Sequence, residues 1–297
     1  MGQAKRKRLG PCLCGGGRAA IDCCWTPAGY HKRPAALDLH NTGLIGNHQG
    51  CYMQATNGCD TQLSAEHLIS EAVLNVLAEK QIEVMGLPWQ RGTKKMLRFG
   101  SLTARNLCTR HNSLLSPIDA AGAKFFEAIQ SCGTSESAPA LRFLLSGHDI
   151  ERWMLRTLAI FGVSGNFVAK NGANFDQTFI DQLRIVDLLE RPGAWVKPMG
   201  FYVLGEHGHQ FTQRADVPLA VAGLMRDGQL VGMTLVFQGF GLGLIADHDL
   251  AGSGYEKAFY RPGSLIFDTG SVRHQIELSW DDGAPHPEVT LTWDKPA

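Results

Sequence analysis

Seven of the eight cysteines in this chain lie before residue 109, and they fall into two groups with ligand-like spacing. That grouping constrains the fold more than any other feature. A metal held by residues distant in sequence forces their backbones together and supplies folding energy. The first group is Cys12-Leu13-Cys14 followed by Cys23-Cys24. These four thiols can wrap one zinc, and Gly15, Gly16 and Gly17 supply the backbone freedom that a tight knuckle needs. The second group is split. Cys51 and Cys59 open a segment that Cys108-Thr-Arg-His111-Asn112 closes. Cys51, Cys59, Cys108 and His111 form a Cys3His set, which suits a closed tetrahedral zinc. Both zincs are expected to be structural, because four protein ligands leave no open position. Cys132 is left as a lone thiol.

Closing the second zinc would carry Asn112 back towards Glu66-His67, in the middle of the segment. A carboxylate, an imidazole and an amide are the groups wanted for a hard divalent ion beside a general base. Apolar pairs Leu68-Ile69, Ala72-Val73 and Val76-Leu77 predict an amphipathic helix beginning between Ser64 and Ser70, with Ser70, Glu71, Asn75 and Glu79 towards water. In the alternative reading, Glu66 complements the start of that helix and His67 packs.

Glu66-His67 and Cys108-x-x-His111-Asn112 resemble the HNH endonucleases, the ββα-metal nucleases, and in particular a bacterial subgroup with "EHLIS…VL" and "LC..HN..LSPID" segments. The resemblance covers about a quarter of the chain. It implies that His67 is the general base and that Glu66 and Asn112 hold Mg²⁺ or another divalent ion. It also implies hydrolysis of a DNA phosphodiester bond to leave a 5′ phosphate. The chain departs from the family pattern in the seven-residue gap between Cys51 and Cys59 and in the forty residues between His67 and Cys108. The middle Asn has no clean counterpart, since Asn106 sits too close to Cys108. Cys12 to Cys24 resembles the SEC-C zinc motif, with Leu13 and Gly16 in place of its Pro and Ser. That family is linked to protein or nucleic-acid contact.

Charges balance at 28 Lys/Arg against 28 Asp/Glu, with 44% apolar residues, an ordinary soluble composition. The N-terminus is basic (Lys5 to Arg8, Arg18, Lys32, Arg33). Arg91, Lys94, Lys95, Arg98, Arg105 and Arg110 lie among Trp89 and Phe99, and a DNA-facing surface of Lys94, Lys95, Arg98 and Arg110 is expected, with a solvated basic loop as the alternative. No apolar run approaches the ~20 residues that span a bilayer, and the clustered thiols suit a reducing compartment, so a cytoplasmic protein is expected.

Ser116-Pro117-Ile118-Asp119 predicts a helix with Ser116 as cap, Asp119 as capping acid and a stripe of Ile118, Ala121, Phe125 and Ile129. A helix capped by Asp149 should run through Ile150, Trp153, Met154, Thr157, Leu158 and Phe161, and another from about Asn174 to Glu190. Seven strands follow: Gly200–Leu204, Leu219–Met225, Gln229–Phe237, Gly241–Ala246, Ser264–Phe267, Gln275–Trp280 and Val289–Trp293. Arg226-Asp227-Gly228 reads as a hairpin turn. His207-x-His209 and Asp247-His248-Asp249 read as turns.

The expected fold class is α+β. Residues 1–30 form a SEC-C-like zinc knuckle, 31–135 a zinc-stabilised ββα-metal domain with added helices, and 140–297 a helix-plus-antiparallel-β domain for recognition. Expected partners are DNA or RNA and a protein bound through the knuckle or the β-rich part. Defence against foreign DNA fits such a chain by analogy. The competing reading is a zinc-stabilised binding protein that does not cut.

Overall fold

Two glycines with positive φ, Gly15 at 72° and Gly17 at 70°, turn the chain tightly enough for Cys12, Cys14, Cys23 and Cys24 to face one another. The computed structural model describes residues 8–40, 46–87, 93–135, 139–165, 184–205, 210–212, 219–227, 229–237, 239–247 and 258–294. The knuckle leads into a minimal hairpin, β1 (Trp25–Thr26) and β2 (Gly29–Tyr30), where the two aromatic rings meet edge-to-face at 5.0 Å. Leu144 packs into the knuckle, and its N–H donates to the Leu13 carbonyl, so the knuckle is docked on the body of the protein.

The segment between the split ligands holds more strand than its sequence predicts. It comprises β3 (Leu63–His67), α1 (Glu71–Leu77), β4 (Gln81–Met85), β5 (Lys95–Arg98), β6 (Thr103–Cys108) and α2 (Thr109–Leu114). β3 and β6 pair antiparallel, with Leu63 opposite Cys108, Glu66 opposite Ala104 and His67 opposite Thr103. The helix therefore starts at Glu71, and Glu66-His67 lie on a strand, because cross-strand pairing overrides the local helical period. Ser70, expected at the surface, is 2% exposed and accepts a hydrogen bond from Trp153 Nε1 at 3.0 Å.

α3 (Ser116–Thr134) buries Ile118, Phe125 and Ile129 as its pattern predicts. Ser116 is not its cap; the Ser116 hydroxyl donates to the Ser113 carbonyl, and Leu115 holds the cap position. β7 (Arg142–Ser146) then enters α4 (Gly147–Val163). The cap of α4 is the Ser146 hydroxyl, which accepts the Asp149 N–H, and the Asp149 carboxylate instead pairs with Arg152 and accepts the Ala35 N–H. Every residue of α4 from Gly147 to Gly162 is buried. Its close approach to α3 occurs at Gly122, where a Cβ would lie 2.9 Å from the Trp153 ring. Of the helix expected from Asn174, α5 (Ile185–Glu190) is the described part.

All seven predicted strands are found, as β8 (Gly200–Leu204), β10 (Leu219–Arg226), β11 (Gln229–Phe237), β12 (Phe240–Ile245), β14 (Ser264–Asp268), β15 (Arg273–Ser279) and β16 (Glu288–Asp294). β9 (Gln210–Thr212) and β13 (Ala258–Tyr260) add to them. Asp227, at φ 49°, sits in the turn between β10 and β11. His207, His209, His248 and Asp249 lie outside the described residues. The strands form a seven-stranded sheet, β13-β8-β12-β11-β10-β4-β5, and a five-stranded sheet, β7-β15-β14-β16-β9. The first is antiparallel except where β10 meets β4. The second is mixed, with β7–β15, β14–β16 and β16–β9 parallel, which corrects the expectation of a wholly antiparallel C-terminal part.

β4 and β5 come from the segment expected as a separate domain, yet they complete a sheet built from the C-terminal strands. One hydrophobic core runs from Leu39 to Leu291, with α4 inside it. The ββα part and the β-rich part thus share a sheet and a core.

Candidate metal centres and the His67 site

The split ligand set closes as its spacing predicts. His111 Nδ1 lies 3.5 Å from Cys51 Sγ, 3.7 Å from Cys59 Sγ and 3.1 Å from Cys108 Sγ. Zinc bonds of about 2.3 Å to sulfur and 2.0–2.1 Å to nitrogen place tetrahedral S and N ligands about 3.5 Å apart, so this set fits zinc. The tautomer fits too. Thr56 donates its hydroxyl proton to the Met53 carbonyl and is left to accept from His111 Nε2–H at 2.9 Å. That leaves Nδ1 its lone pair, facing the sulfurs. All four ligands are buried. Burial pushes the thiols of Cys51 and Cys59 up and the imidazole of His111 down, so a bound ion would displace protons from the thiols alone. Cys108 caps α2, and its sulfur accepts the His111 N–H at 3.5 Å.

Cys12, Cys14, Cys23 and Cys24 have their ligand atoms within 4.8 Å of one another. Sγ separations of 3.5 Å for Cys14–Cys23 and 3.6 Å for Cys23–Cys24 suit tetrahedral thiolates. These two clusters are the groups of three or more Cys, His, Asp or Glu ligand atoms among the described residues that could hold a metal ion. Cys132 is fully buried, and burial pushes its thiol up to about 12, which makes it inert.

His67 ends β3 and is half-buried. Burial holds its imidazole below the ordinary value, against a smaller opposite pull from Glu71, so it is neutral near pH 7. Glu66, on the other face of the strand, is 1% exposed. Its Oε1 lies 2.9 Å from Arg156 Nη2, on α4. Arg156 Nε lies 3.6 Å from Asp119 Oδ1, and Arg156 Nη1 donates to the His67 carbonyl at 3.0 Å. Burial pushes the Glu66 carboxyl up to about 7 despite the guanidinium, and burial also raises Asp119.

The chain leaves β6 at Cys108, opposite Leu63, and within α2 and the first turn of α3 reaches Asp119 beside His67. The group delivered to the Glu66-His67 end is therefore the carboxylate of Asp119, which the sequence reads only as a capping acid. Asn112 is half-buried on α2. A divalent ion needs open, anionic oxygens. Glu66 is enclosed and committed to Arg156, so as placed Glu66 and Asn112 offer no open pair of ligands for an ion.

The expected basic surface divides. Lys95 and Arg98 are exposed on β5, an edge strand, and Arg98 leads through one 3-10 turn into Thr103, the cross-strand partner of His67. Lys94 is exposed and 3.8 Å from Glu83. Arg110 does not belong to this surface. Its guanidinium donates to the carbonyls of Asp38, Leu39 and Gly58, and its N–H to Asp60, tying two loops to the Cys3His set. Phe99 is core, and Trp89 and Arg91 lie outside the described residues.

Arg156 and Tyr52 belong to no motif in the sequence, yet both lie beside Glu66. Asp149, Arg152 and Arg156, spaced three and four apart in a largely apolar helix that also holds His148 and Glu151, are the available signal of a charged stripe facing inward. Comparison with protein-family models, curated proteins and solved structures gives no significant match for this chain.

Proposed function

We propose that this chain hydrolyses phosphodiester bonds in nucleic acid on an HNH-like ββα frame, with His67 as the general base. The observation that carries this reading is a neutral, half-buried imidazole at the end of β3, on a strand pair whose returning helix is clamped by a closed Cys3His set. A neutral imidazole can take a proton from an attacking water near pH 7 without further tuning. Zinc at Cys51, Cys59, Cys108 and His111 would serve as scaffold, holding α2 and β6 against β3. Zinc at Cys12, Cys14, Cys23 and Cys24 would fold the knuckle. Lys95 and Arg98 supply cations for the phosphate backbone on the approach to His67. Nicking of supercoiled plasmid in the presence of Mg²⁺ tests the reading. His67→Ala should abolish nicking while zinc content and melting temperature persist, and full activity in that variant ends the proposal.

A second reading, a nucleic-acid- or protein-binding protein that does not cut, is favoured by the Glu66–Arg156 pair, which occupies the carboxylate that the family resemblance assigns to the ion. A chain that retards labelled DNA in a gel yet never nicks it, with Mg²⁺ or Mn²⁺, follows this second reading. A role against foreign DNA would accompany the first reading.

A further inference from the structure

Four buried polar side chains meet at one place: Glu66 Oε1 lies 2.9 Å from Arg156 Nη2, Arg156 Nε lies 3.6 Å from Asp119 Oδ1, and Tyr52 is fully enclosed within electrostatic range of all three. Such a cluster calls for an explanation, because taking charged groups out of water is costly even when they are paired. Two carboxyl groups here share one guanidinium. Neither is docked bidentate on Arg156, although the fork of Arg favours that geometry. The guanidinium is instead fixed by its hydrogen bond to the His67 carbonyl and by its place on α4, a helix buried on all sides.

We propose that Arg156 is the resident counter-ion of the His67 centre, so that a divalent ion can be held at Glu66 only in competition with this guanidinium. The identification of the centre rests on the cleavage reading above; the competition rests on geometry alone. An ion beside Glu66 would lie at ion-pair range from a fixed positive charge, and their repulsion weakens its binding. Arg156 is a positioning residue in this account. It touches the backbone of the base and the carboxylates flanking it, and at 2% exposure it does not reach a substrate.

The test is Mn²⁺ titration of the zinc-loaded full chain, following the free Mn²⁺ signal by electron paramagnetic resonance. Mn²⁺ stands below zinc in affinity for such sites and leaves the thiolate clusters filled. Arg156→Met should bind Mn²⁺ at least about ten-fold more tightly than wild type, and Glu66→Gln in the same chain should abolish the gain. Unchanged or weaker binding in Arg156→Met, or a gain that survives Glu66→Gln, overturns the proposal. Asp119→Asn, at a position nearer the surface, should bind Mn²⁺ more weakly because Arg156 then serves Glu66 alone. Tighter binding there overturns it even if Arg156→Met fails to fold. Plasmid nicking is scored separately. A Mn²⁺ gain with no cleavage by wild type keeps the counter-ion and removes the nuclease; cleavage by wild type with no Mn²⁺ gain does the reverse.

Discussion

Arg156 on α4 and Glu66 on β3 meet at 2.9 Å, their side chains 2% and 0% exposed, and this contact joins the ββα unit to the helix at the centre of the core. Removing one partner of a buried ion pair strands the other charge. Arg156→Ala should therefore cost about 3–5 kcal/mol of unfolding free energy. The paired replacement Glu66→Gln with Arg156→Met should recover much of that loss, because neither charge is then left stranded. Urea unfolding of the zinc-loaded proteins measures both. A single variant as stable as wild type would show that the pair holds nothing together.

The same carboxylate predicts a pH dependence. Burial lifts Glu66 from the ordinary 4.5 to about 7 in the folded protein, with Asp119 adding to the rise and Arg156 opposing it. Between those values the folded state binds a proton that the unfolded state does not. Its contribution to stability is complete below 4.5 and is lost as pH rises through about 7. Comparing wild type with Glu66→Gln removes the titrations common to both and leaves that of Glu66 with its coupling to Asp119. The stability of wild type relative to Glu66→Gln should fall from about pH 5 to about pH 8. A difference that is flat or rises with pH contradicts the placement.

Loss of metal should act unequally at the two clusters. Cys108 both caps α2 and faces His111, and its loss releases the helix, the β6 end and the loops held by Arg110. Cys12 belongs to a knuckle whose contact with the core passes through Leu144. Each of Cys108→Ser and Cys12→Ser should lower bound zinc by one ion, measured by elemental analysis of the purified chain. Cys108→Ser should cost much more in melting temperature. Equal losses would mean that the knuckle is as integral to the core as the Cys3His clasp.

The two ligand sets were legible in the sequence because thiols at fixed offsets restrict geometry without help from the rest of the fold. The seven C-terminal strands were legible because apolar runs between turn residues survive in almost any packing. β3, β4, β5 and β6 were not, since Leu68 to Leu77 carries a helical period that hides the strand before it. Nothing local states that β4 will pair with β10 across the chain. Asp119 looked like a helix-start acid for the same reason: it does begin α3, and only α4 packed alongside shows that its carboxylate has a partner. The sequence supplied the residues of the His67 centre near Cys108, and tertiary packing supplied Arg156.

Arg110 and the pair Lys95 and Arg98 look alike in sequence, and the structure separates what their loss should do. The guanidinium of Arg110 holds the carbonyls of Asp38, Leu39 and Gly58 beside the His111 ligand. Arg110→Ala would leave those acceptors without their donor and should cost about 1–3 kcal/mol together with part of the bound zinc. Lys95 and Arg98 point from an edge strand into water, where loss of a charge is nearly neutral for stability, within about 0.5 kcal/mol. If they contact phosphate, Lys95→Ala and Arg98→Ala should each weaken binding of duplex DNA regardless of sequence and flatten the salt dependence by roughly one counterion. Fluorescence anisotropy across a salt series measures that slope. A slope unchanged in both variants would remove β5 from the binding surface and leave it simply as a charged edge that discourages strand pairing.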